Sequence, residues 1–265
     1  MTKTAPGAQA RSEEIAFDLP GGPDAALLLH GLTGSPFEMR YLGERLAAAG
    51  MRALGPWMAG HGDPAALAAT PYTEWIAQAR HELRRLEGAR RVLVAGCSMG
   101  ALVACALAHE LPDRVDGLAL LAPALELAPA GRLAGFLARH TPAARLFPFL
   151  PKRSGSDVRD PEARRRNPCM EVVPLASVGE LQSLQEEVGR LLPAIAAPAL
   201  VVAGARDHTV TVGGAWRLAL RIGSGPARLV VLPESWHLVG IDVERERCAD
   251  EVLDFFQTIP ERRGR

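Results

Sequence analysis

Residues 91–101 read Arg-Val-Leu-Val-Ala-Gly-Cys-Ser-Met-Gly-Ala, and the rest of the chain is organised around them. Val92, Leu93 and Val94 make a short apolar run, the mark of a parallel strand covered on both faces. Gly96-Cys97-Ser98-Met99-Gly100 then fits G-x-S-x-G, a sharp strand-to-helix turn that presents a serine. Crowding of strand and helix around Ser98 favours glycine two residues to either side. Ala101 to Leu107 continue as an apolar helix whose N-terminus favours negative charge at Ser98. In a chain with 26 glycines the five-residue pattern is weak by itself. It gains weight from the strand before it, the helix after it, and partners for Ser98 elsewhere.

The chain has 265 residues, enough for one large domain or two small ones and for a substantial core. Hydrophobic residues make up 48% and charged residues 23%, the balance of a globular protein. A net charge of zero gives no reason to expect a nucleic acid or an anionic membrane as partner. No apolar run is long enough to span a bilayer, so stable membrane insertion is not expected. Residues 1–13 read as a frayed tail without the apolar core of a secretory signal, and a cytoplasmic location is the default expectation. Cys97, Cys105, Cys169 and Cys248 are scattered without metal-site spacing, so reduced structural thiols are expected. Cys97 should pack inward.

Strands and helices alternate along most of the chain. Strands are expected at Ile15–Leu19, Ala25–Leu29, Met51–Pro56, Leu118–Leu121, Ala199–Val202 and Arg228–Leu232. Helices are expected from Ser35 to Ala49, Thr73 to Glu87, Val178 to Leu192, Ala215 to Arg221 and Glu244 to Gln257. Ser35 and Glu38 have the spacing of a capping box around Pro36. The strand at 25–29 ends in His30-Gly31-Leu32-Thr33-Gly34, a loop that brings backbone to the top of the sheet. There the N–H groups of Leu32 and Met99 would form an oxyanion hole. His30 reads as a structural histidine, and His61, in the loop 57–63, as one that holds its loop together.

Alternation breaks at residues 124–177, rich in Pro, Gly, Arg, Leu and Phe. This reads as an inserted, mainly helical cap between core segments 1–123 and 178–265. Helices are expected around Leu133–Arg139 and Ala143–Phe149. Its apolar side chains fit an acyl-chain pocket, a cover for the sheet edge, or a dimer surface. Arg164-Arg165-Arg166 reads as a solvated face.

The pattern predicts a mostly parallel sheet with helices on both faces. Ser98, Asp207 and His237 each follow a strand, so they share one sheet edge. They occur in the order of α/β-hydrolases. In such a site His237 takes the proton of Ser98, and Asp207 fixes the imidazole tautomer. Rival roles are a helix-capping Asp207, Glu234 as the acid, and a metal held by His61, Asp207, His208 and His237. No metal-binding spacing supports the last, and His208 should point away from Asp207.

These residues, with LLLHGLTGSPFEMRYLGERLAAAG, GHG at 60–62, GARDHTV and ESWHLVGIDVERE, give the chain a family likeness. It resembles the bacterial carboxylesterase and monoacylglycerol-lipase-like branch of the α/β-hydrolase superfamily. The likeness covers roughly residues 25–122 and 178–258, while the cap matches poorly. It implies the α/β-hydrolase fold, a Ser98–Asp207–His237 triad, the Leu32 and Met99 oxyanion hole, and no cofactor. Leu32 stands where relatives often have Phe, and Trp236 replaces a glycine, which would narrow the alcohol side. The expected activity is cleavage of small-molecule carboxylic esters of short to medium chain, monoacylglycerols among them, by a monomer or homodimer. The same triad serves thioesterases, lactonases, C–C hydrolases and perhydrolases, and a ligand-binding member without turnover is the other alternative.

Overall fold

Strand β4 (Val92–Cys97), buried along its whole length, is the middle of a seven-stranded sheet. The computed structural model describes residues 15–152 and 155–261, so the expected N-terminal tail lies outside the described residues. β1 is Phe17–Leu19, β2 Ala25–Leu29, β3 Arg52–Gly55, β5 Gly117–Leu121, β8 Ala199–Gly204 and β9 Arg228–Leu232. The order is β1-β3-β2-β4-β5-β8-β9, with only the edge strand β1 antiparallel to its neighbour. Parallel neighbours put the C-terminal ends of β2, β4, β8 and β9 on one edge.

Strand periodicity divides the core in two. Leu27, Leu29, Val92 and Val94 face one layer, with helices α3 (Tyr72–Arg84), α4 (Met99–Glu110), α8 (Leu175–Leu191) and α9 (Val212–Arg221). Ala26, Leu28, Leu93, Ala95 and Cys97 face the other, with α1 (Phe37–Ala48) and α10 (Arg245–Thr258). Trp75, Ile76, Ala79 and Leu83 of α3 are buried, as their helical spacing predicts. At the opposite edge, Asp24 accepts hydrogen bonds from both Arg90 and Arg91. Burial works to raise its pKa, but the two guanidiniums hold the carboxyl at about 2.

Several local expectations are corrected. Glu38 does not close a capping box on Ser35: α1 starts after Pro36 without a side-chain cap. The Glu38 carboxyl turns instead to the Gly31 N–H, at 3.0 Å. A short helix α2 (Pro64–Ala69) was not anticipated; Asp63 caps it by accepting from the N–H groups of Ala65 and Ala66. Helix α8 starts at Leu175, ahead of the expected Val178.

Between β5 and α8 the chain forms α5 (Pro129–His140), α6 (Ala143–Leu146), β6 (Phe149–Pro151), α7 (Pro161–Arg166) and β7 (Val172–Pro174). The segment is mainly helical, as expected, with β6 and β7 paired as a small antiparallel sheet that was not anticipated. Pro148 and Pro151 cannot continue a helix, and Val172-Val173 favour an extended partner. Leu133, Phe136, Leu146, Phe147 and Phe149 are exposed to solvent. The arginine run is not uniformly solvated. Arg164 donates to the Val158 carbonyl at 2.9 Å, and its guanidinium lies 4.8 Å over the Trp236 ring.

Candidate active site

Ser98 sits between β4 and α4 with φ 55° and ψ −112°, a backbone region costly for a residue with a Cβ. The turn is over-determined. The Ser98 N–H donates to the Leu121 carbonyl at 2.8 Å, and the Ala124 N–H donates to the Ser98 carbonyl at 3.2 Å. A Cβ on Gly96 would lie 2.2 Å from the Gly100 carbonyl oxygen, and one on Gly100 would lie 2.3 Å from that of Leu29. Those contacts are the physical reason for glycine at both positions. Met99 is the first residue of α4, so helix geometry leaves its N–H without an intrahelical acceptor.

The loop after β2 runs against this elbow. A Cβ on Gly31 would be 3.3 Å from the Ser98 Cβ. The fully buried His30 fixes the loop from within: its Nε2 accepts from the Met58 N–H at 3.1 Å, and its Nδ1 lies 2.9 Å from the Gly31 carbonyl. The first contact leaves the proton on Nδ1, which donates to Gly31. That carbonyl belongs to the same planar peptide as the Leu32 N–H, so His30 also sets the direction of that donor. Burial, with His61 close by, keeps the His30 pKa well below its ordinary value. His61 binds the Ala59 carbonyl at 3.1 Å and is pushed down by burial to about 4. Both histidines are thus neutral structural groups.

Asp207 follows β8 and His237 follows β9. The Asp207 Oδ2 lies 2.7 Å from His237 Nδ1, and both side chains are buried. The other oxygen, Oδ1, accepts from the N–H groups of Thr209 and Val210 at 2.7 and 2.8 Å. Burial opposes charge on His237, but the Asp207 carboxylate, with Asp157 and Glu38 beyond it, raises its pKa above the ordinary imidazole value. The rival roles are not occupied. Thr211, not Asp207, caps α9. Glu234 binds Arg159 and Arg206, whose charges hold its pKa down. His208 turns away, its Nδ1 2.8 Å from Asp157 Oδ1. His61 and His208 thus have partners outside the Asp207–His237 pair, and no cluster of three metal-ligating side chains occurs among the described residues. Cys97 is buried inward and its thiol is pushed far up by burial.

Three acids that hold the site were missed. Asp157, from the inserted segment, accepts from the His208 N–H at 3.0 Å and the Thr209 hydroxyl at 2.9 Å, so it grips the loop that carries Asp207. Asp242, fully buried, accepts from the N–H groups of Trp236, Arg159 and Asp160. Glu244 accepts from the N–H groups of Glu234 and Ser235 and from the Ser235 hydroxyl. Asp242 and Glu244 lie within the stretch 234–246 that carries the family likeness, a signal that marked the place without giving their roles. Trp236 is committed to Arg164 and, with ring centroids 4.7 Å apart, to His208.

A cavity of about 320 Å³ between α1, α7 and the start of α10 has none of these groups in its lining. Its arginines are matched by acids: Arg245 by Asp160, Arg166 by Glu162 and Arg40 by Glu44.

A parallel sheet with a strained serine after its central strand, and a histidine–aspartate pair after the last two, is the arrangement of an α/β-hydrolase. Comparison with known proteins narrows this. A family model described as serine aminopeptidase, S33 (Hydrolase_4) matches residues 23–244, and the chain belongs to that family. It is 30% identical over 242 residues to the thermostable monoacylglycerol lipase of Bacillus sp. (strain H-257), covering 91% of this chain and 93% of that protein. It is 26% identical over 247 residues to a carboxylesterase of Bacillus subtilis (strain 168), covering 92% and 96%. A solved structure reported for the metagenome-derived lipolytic enzymes LipS and LipT superposes with a TM-score of 0.83 at 28% identity, covering 96% of this chain and 99% of that one. The likeness to the carboxylesterase and monoacylglycerol-lipase-like branch thus extends over nearly the whole chain. The chain is an enzyme of the hydrolase class. No helix among the described residues is long and apolar enough to cross a membrane.

Proposed function

We propose that this protein cleaves carboxylic esters of short to medium acyl chain, monoacylglycerols among them, through an acyl-enzyme on Ser98. The observation that carries this reading is the buried His237–Asp207 pair, 2.7 Å apart, on the sheet edge that holds the strained Ser98. Asp207 keeps the proton on Nδ1, which leaves Nε2 free to accept the Ser98 proton during attack on the ester carbonyl. The N–H groups of Leu32 and Met99 receive the developing oxyanion, and the N-terminus of α4 adds a favourable field. The imidazolium then protonates the leaving alcohol. Water repeats the cycle on the acyl-enzyme, with no cofactor.

We assign residues 124–177 as a cap on the core formed by 1–123 and 178–265. The segment leaves from the end of β5, on the edge that bears the site, and its solvent-facing Leu and Phe side chains suit an acyl chain. Four free cysteines support a reducing, cytoplasmic setting. Relatives named for esterase and lipase activity favour esters over the amides implied by the family description.

The test is hydrolysis of p-nitrophenyl esters from acetate to palmitate, with an aminoacyl anilide alongside, by wild type and Ser98→Ala. The expected result is a serine-dependent optimum at short or medium chain. Appreciable turnover by folded Ser98→Ala, or none by wild type on any ester, refutes the proposal.

A further inference from the structure

Glu38 is a carboxyl buried to 4% exposure at the back of the site, with no part in the steps above. Its Oε2 accepts the Gly31 N–H, on the peptide just ahead of the one that carries the Leu32 N–H. Around that glycine, Glu38 holds the preceding peptide and His30 holds the following one. The approach is close on both sides. A Cβ on Gly31 would lie 3.4 Å from Glu38 Oε2 and 3.3 Å from the Ser98 Cβ, so carboxylate and nucleophile border the same point. A Cβ on Gly34 would collide with Glu38 Oε1 at 2.2 Å. The loop is therefore wrapped on the carboxyl.

We propose that Glu38 is a positioning residue: its carboxyl aims the Leu32 N–H by fixing the Gly31 backbone. The proposal rests on the reading of Leu32 given under Proposed function.

Burial outweighs the Gly31 N–H, Lys152, His237 and the Asn167 amide and leaves the Glu38 pKa raised; either form of the carboxyl keeps an oxygen that accepts from Gly31. Cys97, the other titratable neighbour, is held as a neutral thiol by burial and by the charges of Glu38 and Asp207. The groups facing His237 are Asp207 on the β8–α9 loop, Asp157 on the inserted segment and Glu38 on α1. Glu38 is the one that also contacts the oxyanion loop.

The experiment compares wild type, Glu38→Gln and Glu38→Ala in kcat and KM. Glutamine keeps an oxygen for the Gly31 N–H, so its kcat should stay within about threefold of wild type. Alanine loses the clamp; kcat should fall about 10- to 100-fold with KM little changed, the mark of a misplaced oxyanion donor. A Glu38→Ala kcat equal to that of Glu38→Gln overturns the proposal, as does a loss that appears in KM alone. If the alanine variant does not fold, Glu38→Leu, which fills the space without an acceptor, takes its place. An inactive wild type would sink the ester reading itself, whereas an active wild type with the two variants alike sinks only this inference.

Discussion

Replacing Asp207 by Asn tests the centre of the mechanism, because the loop dictates which way the new amide points. Oδ1 of Asp207 accepts two backbone N–H groups, from Thr209 and Val210. In Asp207→Asn the amide oxygen must take that position, since an NH₂ group there would face two donors. The NH₂ is then directed at His237 Nδ1, where Oδ2 now lies at 2.7 Å. It can only donate, so Nδ1 must give up its proton and Nε2 must carry one. In that tautomer Nε2 cannot accept the proton of Ser98. Loss of the correct tautomer in a Ser-His-Asp site costs about 10⁴-fold in kcat, or about 5.5 kcal/mol of transition-state stabilisation. The pH profile adds a second readout. Wild-type activity should rise with pH as His237 loses its proton, with the limb above the ordinary imidazole value because Asp207 favours the charged form. Without that carboxylate, burial dominates and the limb of the residual activity should move down. The assay is p-nitrophenyl butyrate hydrolysis across roughly pH 5–9, with thermal unfolding to confirm that the variant is folded. A folded Asp207→Asn enzyme within tenfold of wild type would refute the assignment of Asp207. Glu234→Gln is the matched control, since Glu234 is engaged by Arg159 and Arg206 and should leave kcat unchanged.

Two predictions concern the frame. Asp24, held at about 2 by Arg90 and Arg91, has a folded pKa below its unfolded value, so it stabilises the protein above about pH 4 and loses that effect as pH falls through about 2. Asp24→Asn should cost about 1–2 kcal/mol at neutral pH, allowing for the half-exposed Arg90, and urea unfolding should show the difference shrinking toward pH 2; a constant difference across that range would contradict the assignment. For the thiols, Cys97, Cys105 and Cys248 are buried, the last two with pKa values pushed up to about 12, while Cys169 is half-buried. A thiol reagent should titrate Cys169 alone in the native protein and the other three only after denaturation. Rapid native labelling of Cys97 would show that the elbow opens.

The core was legible because its chemistry is local. Ser98 could be placed from five residues, since a tight elbow needs glycines at fixed offsets, and contacts as short as 2.2 Å explain why. Asp207 and His237 could be placed because a parallel sheet brings the ends of its strands to one edge, whatever lies between them in sequence. Capping was less secure. Ser35 and Glu38 have capping-box spacing, yet the tertiary contact with Gly31 won over the local one, because the buried Gly31 N–H needs an acceptor and Glu38 is within reach. Spacing alone does not say which of two donors a carboxylate will choose.

The inserted segment was hardest to read for a related reason. Its short elements carry no sustained period, and its anchoring is done by single polar residues far from their partners in sequence. Asp157 grips the Asp207 loop through His208 and Thr209, and the N–H groups of Arg159 and Asp160 both donate to Asp242, which also holds the Trp236 N–H beside His237. The segment that would select the substrate is thus bonded to both loops that carry the proposed base and its acid. Shape changes in that segment would reach the geometry of the histidine–aspartate pair directly. Substitutions there should therefore alter kcat as well as KM, unlike changes in a passive cover, which would act on binding alone.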